Sequence, residues 1–357
     1  MQHKSTQVNF TGQDIYVGID VAKNSWKVCV LTQFIEHKVF TQPPIAQILA
    51  DYLHRVFPGA NYHCAYEAGF SGFWAQEQLT ALGIPTMVVN PADVPTTGKE
   101  KSFKTDRIDA RKIARALRSG ELHPIYIPTA KDQECRSLVR LRTIFVRDQT
   151  RCKNSIKSLL YFYGISIDQT RIRTHWSHAY VRELERTTLR TELGTKTLQM
   201  LLDRFLIIRS QVLSVTQEIR KLALTDPFQL QTEMLISVPG IGVLTAMILL
   251  SELVTVDRFS SLDQLSSYCG LVPGEHSSGD EEIITGITHR RNAFLRGILI
   301  ESAWCAVRQD PALMAAFGTL CKRMNKNRAI VRIARKLLSR IRFVLIHHTP
   351  YQCSLAA

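Results

Sequence analysis

Apolar and polar positions follow two different rhythms along the chain. Up to about residue 120 short apolar runs of strand length alternate with stretches of helical period. Ile15–Asp20 is apolar and β-branched and ends in an acid, and Trp26–Leu31 follows the turn-forming Ala22, Lys23 and Asn24, which predicts a hairpin. His63–Glu67 predicts another strand, again closed by an acid, and Thr86–Asn90 a fourth before Pro91. Gly72–Leu82 has helical periodicity and stops at Gly83. A loop rich in Pro, Thr, Gly and Lys (91–104) leads to a further helix, Asp106–Arg118, stopped by Gly120. Such alternation predicts an α/β layer fold.

Beyond residue 130 the rhythm is helical. A helix is expected near Gln133–Tyr161, carrying Arg136, Arg140, Arg147 and Arg151. From Leu198 a seam runs through Leu201, Phe205, Ile208, Val212, Val215, Ile219 and Leu222, alternating steps of three and four. This pattern predicts a coiled coil; the alternative is an amphipathic helix packed inside its own domain. Asp226-Pro227 opens a third, mainly helical segment containing Val238-Pro239-Gly240-Ile241-Gly242 and an apolar run, Val243–Leu253. The expected division is 1–130, 131–225 and 226–357.

Charge changes this picture. The 357 residues carry 45 Lys and Arg against 31 Asp and Glu, a net charge of +14. Residues 1–130 hold 13 basic and 11 acidic groups, so the excess lies in the helical part. Its densest stretch, Lys322 to Arg342, has nine basic residues and no acid, with Ile330, Ile333, Leu337, Leu338 and Ile341 at helical spacing. That is a helix with one buried side and a basic remainder: a solvated face, or a surface for a polyanion such as nucleic acid. The eight cysteines show no paired metal-ligand spacing and read as reduced thiols, and no apolar run approaches the ~18 residues of a membrane span. A cytoplasmic protein is expected.

Four carboxylates stand out. Asp20 and Glu67 each end an apolar strand, which sets them at one sheet edge. Asp106 and Asp109 lie three apart on the first turn of a helix whose same stripe continues as Ile113 and Leu117, so that stripe faces the sheet. Inward carboxylates are costly unless paired or metal-bound. Four hard oxygen donors suit Mg²⁺, and two such ions can serve phosphoryl transfer. Singly, each acid also fits a turn or a helix start. Pro239-Gly240-Ile241-Gly242 before a helix fits a helix-hairpin-helix turn whose Gly240 and Gly242 approach a DNA phosphate, and equally a tight turn between core helices.

IYVGIDVAKNSWKV, CAYEAG and KTDRIDARKIAR resemble the three blocks of an RNase H-like, RuvC-like DEDD domain. The variant is that of the bacterial insertion-sequence transposases, which include the pilin-gene invertase. The resemblance implies that Asp20, Glu67, Asp106 and Asp109 are the metal-binding acids. It also implies a helical coiled-coil oligomerisation segment and a helical serine transposase domain. In the family a Gly-Leu-x-Pro block leads to a serine before glycine; here Gly270-Leu271-Val272-Pro273 leads to Ser278, with Ser277 as second choice. His289 and Arg291 depart from the family's Lys and Gly in the following block. The function implied is site-specific DNA recombination through a serine–DNA covalent intermediate, by a dimer or tetramer guided by a structured bridge RNA. Arg290, Arg291, Arg296, Arg335 and Lys336 are the expected basic contacts with double-stranded DNA or RNA. The nearest alternative is a RuvC-like endonuclease that uses water.

Overall fold

The computed structural model describes residues 9–95, 106–166, 176–278, 281–287 and 292–353, the side chains of 106, 107, 273–278 and 281–287 excepted. The chain divides into two compact units, Met1–Ile127 and Pro128–Ala357.

The first unit is built on a five-stranded mixed sheet. Its strands are β1 (Asp14–Val21), β2 (Trp26–Leu31), β3 (Glu36–Gln42), β4 (Asn61–Glu67) and β5 (Thr86–Val89), in the spatial order β3-β2-β1-β4-β5. β1 and β2 form the expected antiparallel hairpin, with Asp20 opposite Lys27. β4 runs parallel to β1, and β5 parallel to β4. Strand alternation divides the side chains between two faces. Ile15, Val17, Ile19, Val28, Cys64 and Tyr66 pack with Leu49 and Leu53 of helix α1 (Ala46–Val56) and Leu79 of α2 (Trp74–Ala81). The opposite face, with Tyr16, Cys29, Leu31 and Ala65, is covered by α3 (Asp106–Arg118) through Ala110, Ile113, Ala114 and Leu117. The result is the α/β layering expected from the sequence. β3 and α1 have no counterpart in the sequence reading.

Among its described residues the second unit is helical apart from one hairpin. α4 (Ala130–Phe162) and α6 (Glu192–Leu222) lie antiparallel, with α5 (His178–Arg186) between them in sequence. Cys152 Sγ contacts the Leu201 carbonyl at one end of the pair, and Arg142 donates to Thr216 Oγ1 (2.8 Å) towards the other. The heptad seam is consumed here. Leu198, Phe205 and Ile208 share a core with Cys152, Ile156 and Leu160, while Val215 and Ile219 pack with Cys135 and Val139. The expected coiled coil between copies is thus corrected, for this seam, to a pairing within one chain. A regular seam specifies that a helix covers it, not which chain supplies the helix.

The lower part of this pair merges into one core with α7 (Phe228–Ile236), α8 (Val243–Leu253), α10 (Ala293–Gln309) and α12 (Lys326–His347). The boundary expected at 225/226 therefore does not separate two cores. Every residue of α8 from Ala246 to Leu253 is buried, Ser251 and Glu252 included, as expected of a helix that is apolar almost all round. In α12 the five apolar positions at helical spacing are all buried, leaving Lys326, Arg328, Arg332 and Lys336 at least partly exposed. Short α9 (Leu262–Tyr268) precedes the hairpin of β6 (Pro273–Ser278) and β7 (Glu281–Ile287), and α11 (Pro311–Cys321) precedes α12. Among the described residues no helix is long and apolar enough to cross a membrane.

Candidate active site

The acidic edge is set by strand register. Ile19 pairs with Tyr66 across the parallel strands β1 and β4. One residue further, Asp20 stands beside Glu67, and facing residues of neighbouring strands share a side of the sheet. Asp20 has the parity of Gly18, and Glu67 that of Ala65. Both acids therefore belong to the face that α3 covers.

Gly18 fixes where α3 lies. A Cβ at this position would sit 2.3 Å from the Ala110 carbonyl and 2.4 Å from the Ala114 nitrogen, so helix and strand backbones meet only because residue 18 is glycine. Tyr16, two residues earlier, packs beside Ile113 and Leu117. α3 thus runs antiparallel to β1 and brings its first turn, with Asp106 and Asp109, to the end of the strand that carries Asp20. The sequence reading used the acids and overlooked this glycine. Its signal was a glycine inside an apolar strand, which marks close backbone approach.

Asp20, Glu67 and Asp109 are all half-buried, and Lys112 reaches the Asp109 carboxylate at 3.2 Å. Asp106 opens α3 on the same stripe, with its side chain outside the described set. Among the described residues no three Asp, Glu, His or Cys side chains stand close enough together to hold a metal. The donor set is nonetheless suited to a divalent cation: hard oxygens, partly withdrawn from water, on one sheet edge.

In the second unit, Ser278 ends β6, with Glu281 as its cross-strand neighbour and Ser277 opposite Glu282. Both serines therefore lie at the end of a hairpin strand. The base of that hairpin is pinned. Asn292 donates its backbone N–H to the Tyr268 carbonyl (3.0 Å), caps α10 through the Leu295 N–H (3.1 Å), and donates from Nδ2 to Glu252 Oε2 (2.8 Å). Glu252 is fully buried and accepts two bonds from Arg140, at 2.6 and 2.9 Å. That carboxylate holds the Arg140 guanidinium above its ordinary range, chiefly through the hydrogen bond. Glu252 was missed in the sequence, although a lone acid in the apolar run 243–253 was a usable signal.

The expected nucleic-acid contacts separate. At Gly240 (φ +82°) a Cβ would meet the Ser302 carbonyl at 2.3 Å, and its N–H donates to Gln309 (3.0 Å). Its close approach is to α10, the contact of a tight turn between core helices. Gly242, the N-cap of α8, is open: a Cβ placed there would meet nothing within 4 Å among the described residues. Arg335 pairs with Asp263, Arg296 is half-buried and engaged, and Lys336 is partly exposed. Arg290 and Arg291 lie outside the described residues.

Comparison with known proteins decides the family. Residues 17–165 match a DEDD-type transposase family of the IS110 kind, and residues 232–319 match the transposase IS116/IS110/IS902 family. The chain belongs to the IS110-type DEDD transposases. It is similar to the transposase for insertion sequence element IS1111A of Coxiella burnetii, 27% identical over 94% of this chain and 91% of that protein. The putative transposase y4rJ of Sinorhizobium fredii is 29% identical, over 91% and 90% of the two chains. The pilin gene-inverting protein of Moraxella lacunata is 25% identical, over 94% and 97%. As an IS110-type transposase the protein is an enzyme of DNA recombination. The stretch that matches the DEDD-type family, 17–165, takes in most of the sheet, α3 and α4, and so includes all four acids.

Proposed function

We propose that this transposase cuts and rejoins DNA by linking a strand end to Ser278, with Asp20, Glu67, Asp106 and Asp109 as the metal-binding acids. The observation that supports this reading is the shared edge of β1, β4 and α3: sheet register sets Asp20 beside Glu67 there, and the Gly18 contact directs the first turn of α3, with Asp106 and Asp109, towards the same end. When bound, Mg²⁺, as two ions, offsets the negative charge that builds on the phosphate under attack. The Ser278 hydroxyl attacks phosphorus and loses its proton as the new P–O bond forms. The displaced sugar oxygen takes up a proton. Reversal by the sugar hydroxyl of another DNA end rebuilds the phosphodiester and frees the serine. One bond replaces another of the same kind, so no nucleotide cofactor is consumed. Ser277 is the second candidate.

Donor and target double-stranded DNA, and a structured guide RNA that chooses them by base pairing, belong to the same proposal. Lys336, with Gly242, Arg290, Arg291, Arg296 and Arg335, supplies the expected contacts, and the pilin gene-inverting relative supports a site-specific reaction. Association as a dimer or tetramer needs a surface other than the seam already covered by α4. α6 offers one: Leu193, Met200 and Ile207 recur every seven residues on its exposed side, at 79%, 66% and 59% exposure. The test is strand cleavage of element-end DNA. Asp20→Asn, Glu67→Gln, Asp106→Asn or Asp109→Asn, or chelation of divalent ions, is expected to abolish cleavage with folding intact. Undiminished cleavage by the Asp106→Asn and Asp109→Asn variants in Mg²⁺ would overturn the assignment of the acids.

A further inference from the structure

The helix that carries Asp106 and Asp109 also carries a line of cations, and a cavity opens beside it. The cavity, about 580 Å³, is lined by Lys112, Arg115, Arg118 and Ser119 of α3 and its end, and by Tyr16 and Glu121. Lys112, Arg115 and Arg118 are spaced by three, so they cover ~9 Å of helix at ~1.5 Å per residue. A nucleic-acid strand carries one charge per ~3.4 Å of duplex axis, so this line matches about two to three phosphates. Among the described residues neither Arg115 nor Arg118 has an acidic partner, and Arg118 donates to the Thr32 carbonyl (3.3 Å). Arg111 on the same helix is different: it makes hydrogen bonds to both Glu36 oxygens, the shortest 2.7 Å. Glu121 is the one acid among the lining residues described.

The line begins at the acids. Lys112, with a side chain only 9% exposed, reaches Asp109 at 3.2 Å. Composition conceals this surface, because the first 130 residues carry nearly balanced charge. We infer that the cavity seats the phosphodiester backbone of the strand leading to the acidic edge, with Arg115 and Arg118 neutralising its phosphates and Lys112, paired with Asp109, joining that line to the acids. The inference rests on the reading of those acids as the cleavage site, and it adds a backbone seat in the first unit.

The test is fluorescence anisotropy of the full-length protein in EDTA, where no cleavage intervenes. Labelled single-stranded DNA and RNA of one sequence serve as probes from about 50 to 200 mM salt. The double variant Arg115→Gln/Arg118→Gln is expected to lower the slope of log affinity against log salt by about 1.4, or ~0.7 per lost contact. Glu121→Gln is expected to tighten binding at every salt concentration, which a folding defect would not produce. Arg111→Gln, outside the cavity, is expected to leave the slope unchanged. A slope loss on DNA, RNA or both supports the seat and says which strand uses it. An unchanged slope in the double variant, or an equal loss in Arg111→Gln, overturns it. Because no metal is present, this result is independent of whether the acid variants cleave.

Discussion

At the scale of single residues, the site depends on what residue 18 lacks. Gly18→Ala would drive a methyl into the α3 backbone, and overpacking of this kind costs about 1–3 kcal/mol. Chemical denaturation should show a loss at the upper end of that range, with cleavage falling too as α3 shifts its acids. Asp109→Asn should separate these effects, losing cleavage while its unfolding midpoint stays near that of the wild type. The cysteines give a second check. Burial pushes the Cys29 and Cys135 thiols up to about 11 and those of Cys64 and Cys269 to about 12. A raised thiol pKa leaves the neutral form dominant at pH 8, and only the thiolate reacts. An aromatic disulfide reagent at pH 8 should therefore modify the exposed Cys305 and Cys353 rapidly. These four thiols and the fifth buried one, Cys152, should react only after unfolding. Rapid reaction of Cys64 in the folded protein would contradict the sheet packing.

At the scale of elements, the feature to probe is the anchored base of the serine hairpin. Arg140→Met would leave the buried Glu252 carboxylate with its Asn292 bond but without its cation. Breaking a buried ion pair from one side costs about 3–5 kcal/mol. The Arg140 side chain is half exposed, so about 2–3 kcal/mol is expected in denaturant unfolding, and less for Glu252→Gln, which retains an oxygen for Arg140. Equal losses in the two variants would argue against a charge-specific anchor. Legibility in the sequence followed the same physics. β1, β2, β4, β5 and α3 were readable because their apolar rhythm is strong and turn or stop residues close them. β3, largely exposed at a sheet edge, has no alternation to read, and the N-cap before α1, Ile45, offers no capping side chain. The α6 seam was visible to the residue, yet its partner is an intramolecular helix, and heptad spacing contains no information on that choice. The acids were legible as a set of strand ends and a helix start. Glu252 and Gly18 each left a local signal, a lone acid in an apolar run and a glycine in an apolar strand, but the contacts that give them meaning join elements far apart in sequence.

At the scale of the whole molecule, an acidic edge in one unit and a serine hairpin in the other serve one proposed DNA recombinase. The two parts are separable in experiment. Acid variants should bind DNA and fail to cut it, because binding rests on basic surfaces and cutting on the carboxylates. The most direct measurement is denaturing electrophoresis of the protein incubated with labelled element-end DNA in Mg²⁺. The wild-type protein should carry a DNA-linked band that resists denaturation and disappears with protease. Ser278→Ala should give no such band while retaining the ability to bind the DNA. A band of undiminished intensity from Ser278→Ala, or cleavage by that variant releasing free ends at the wild-type rate, would contradict the proposed chemistry.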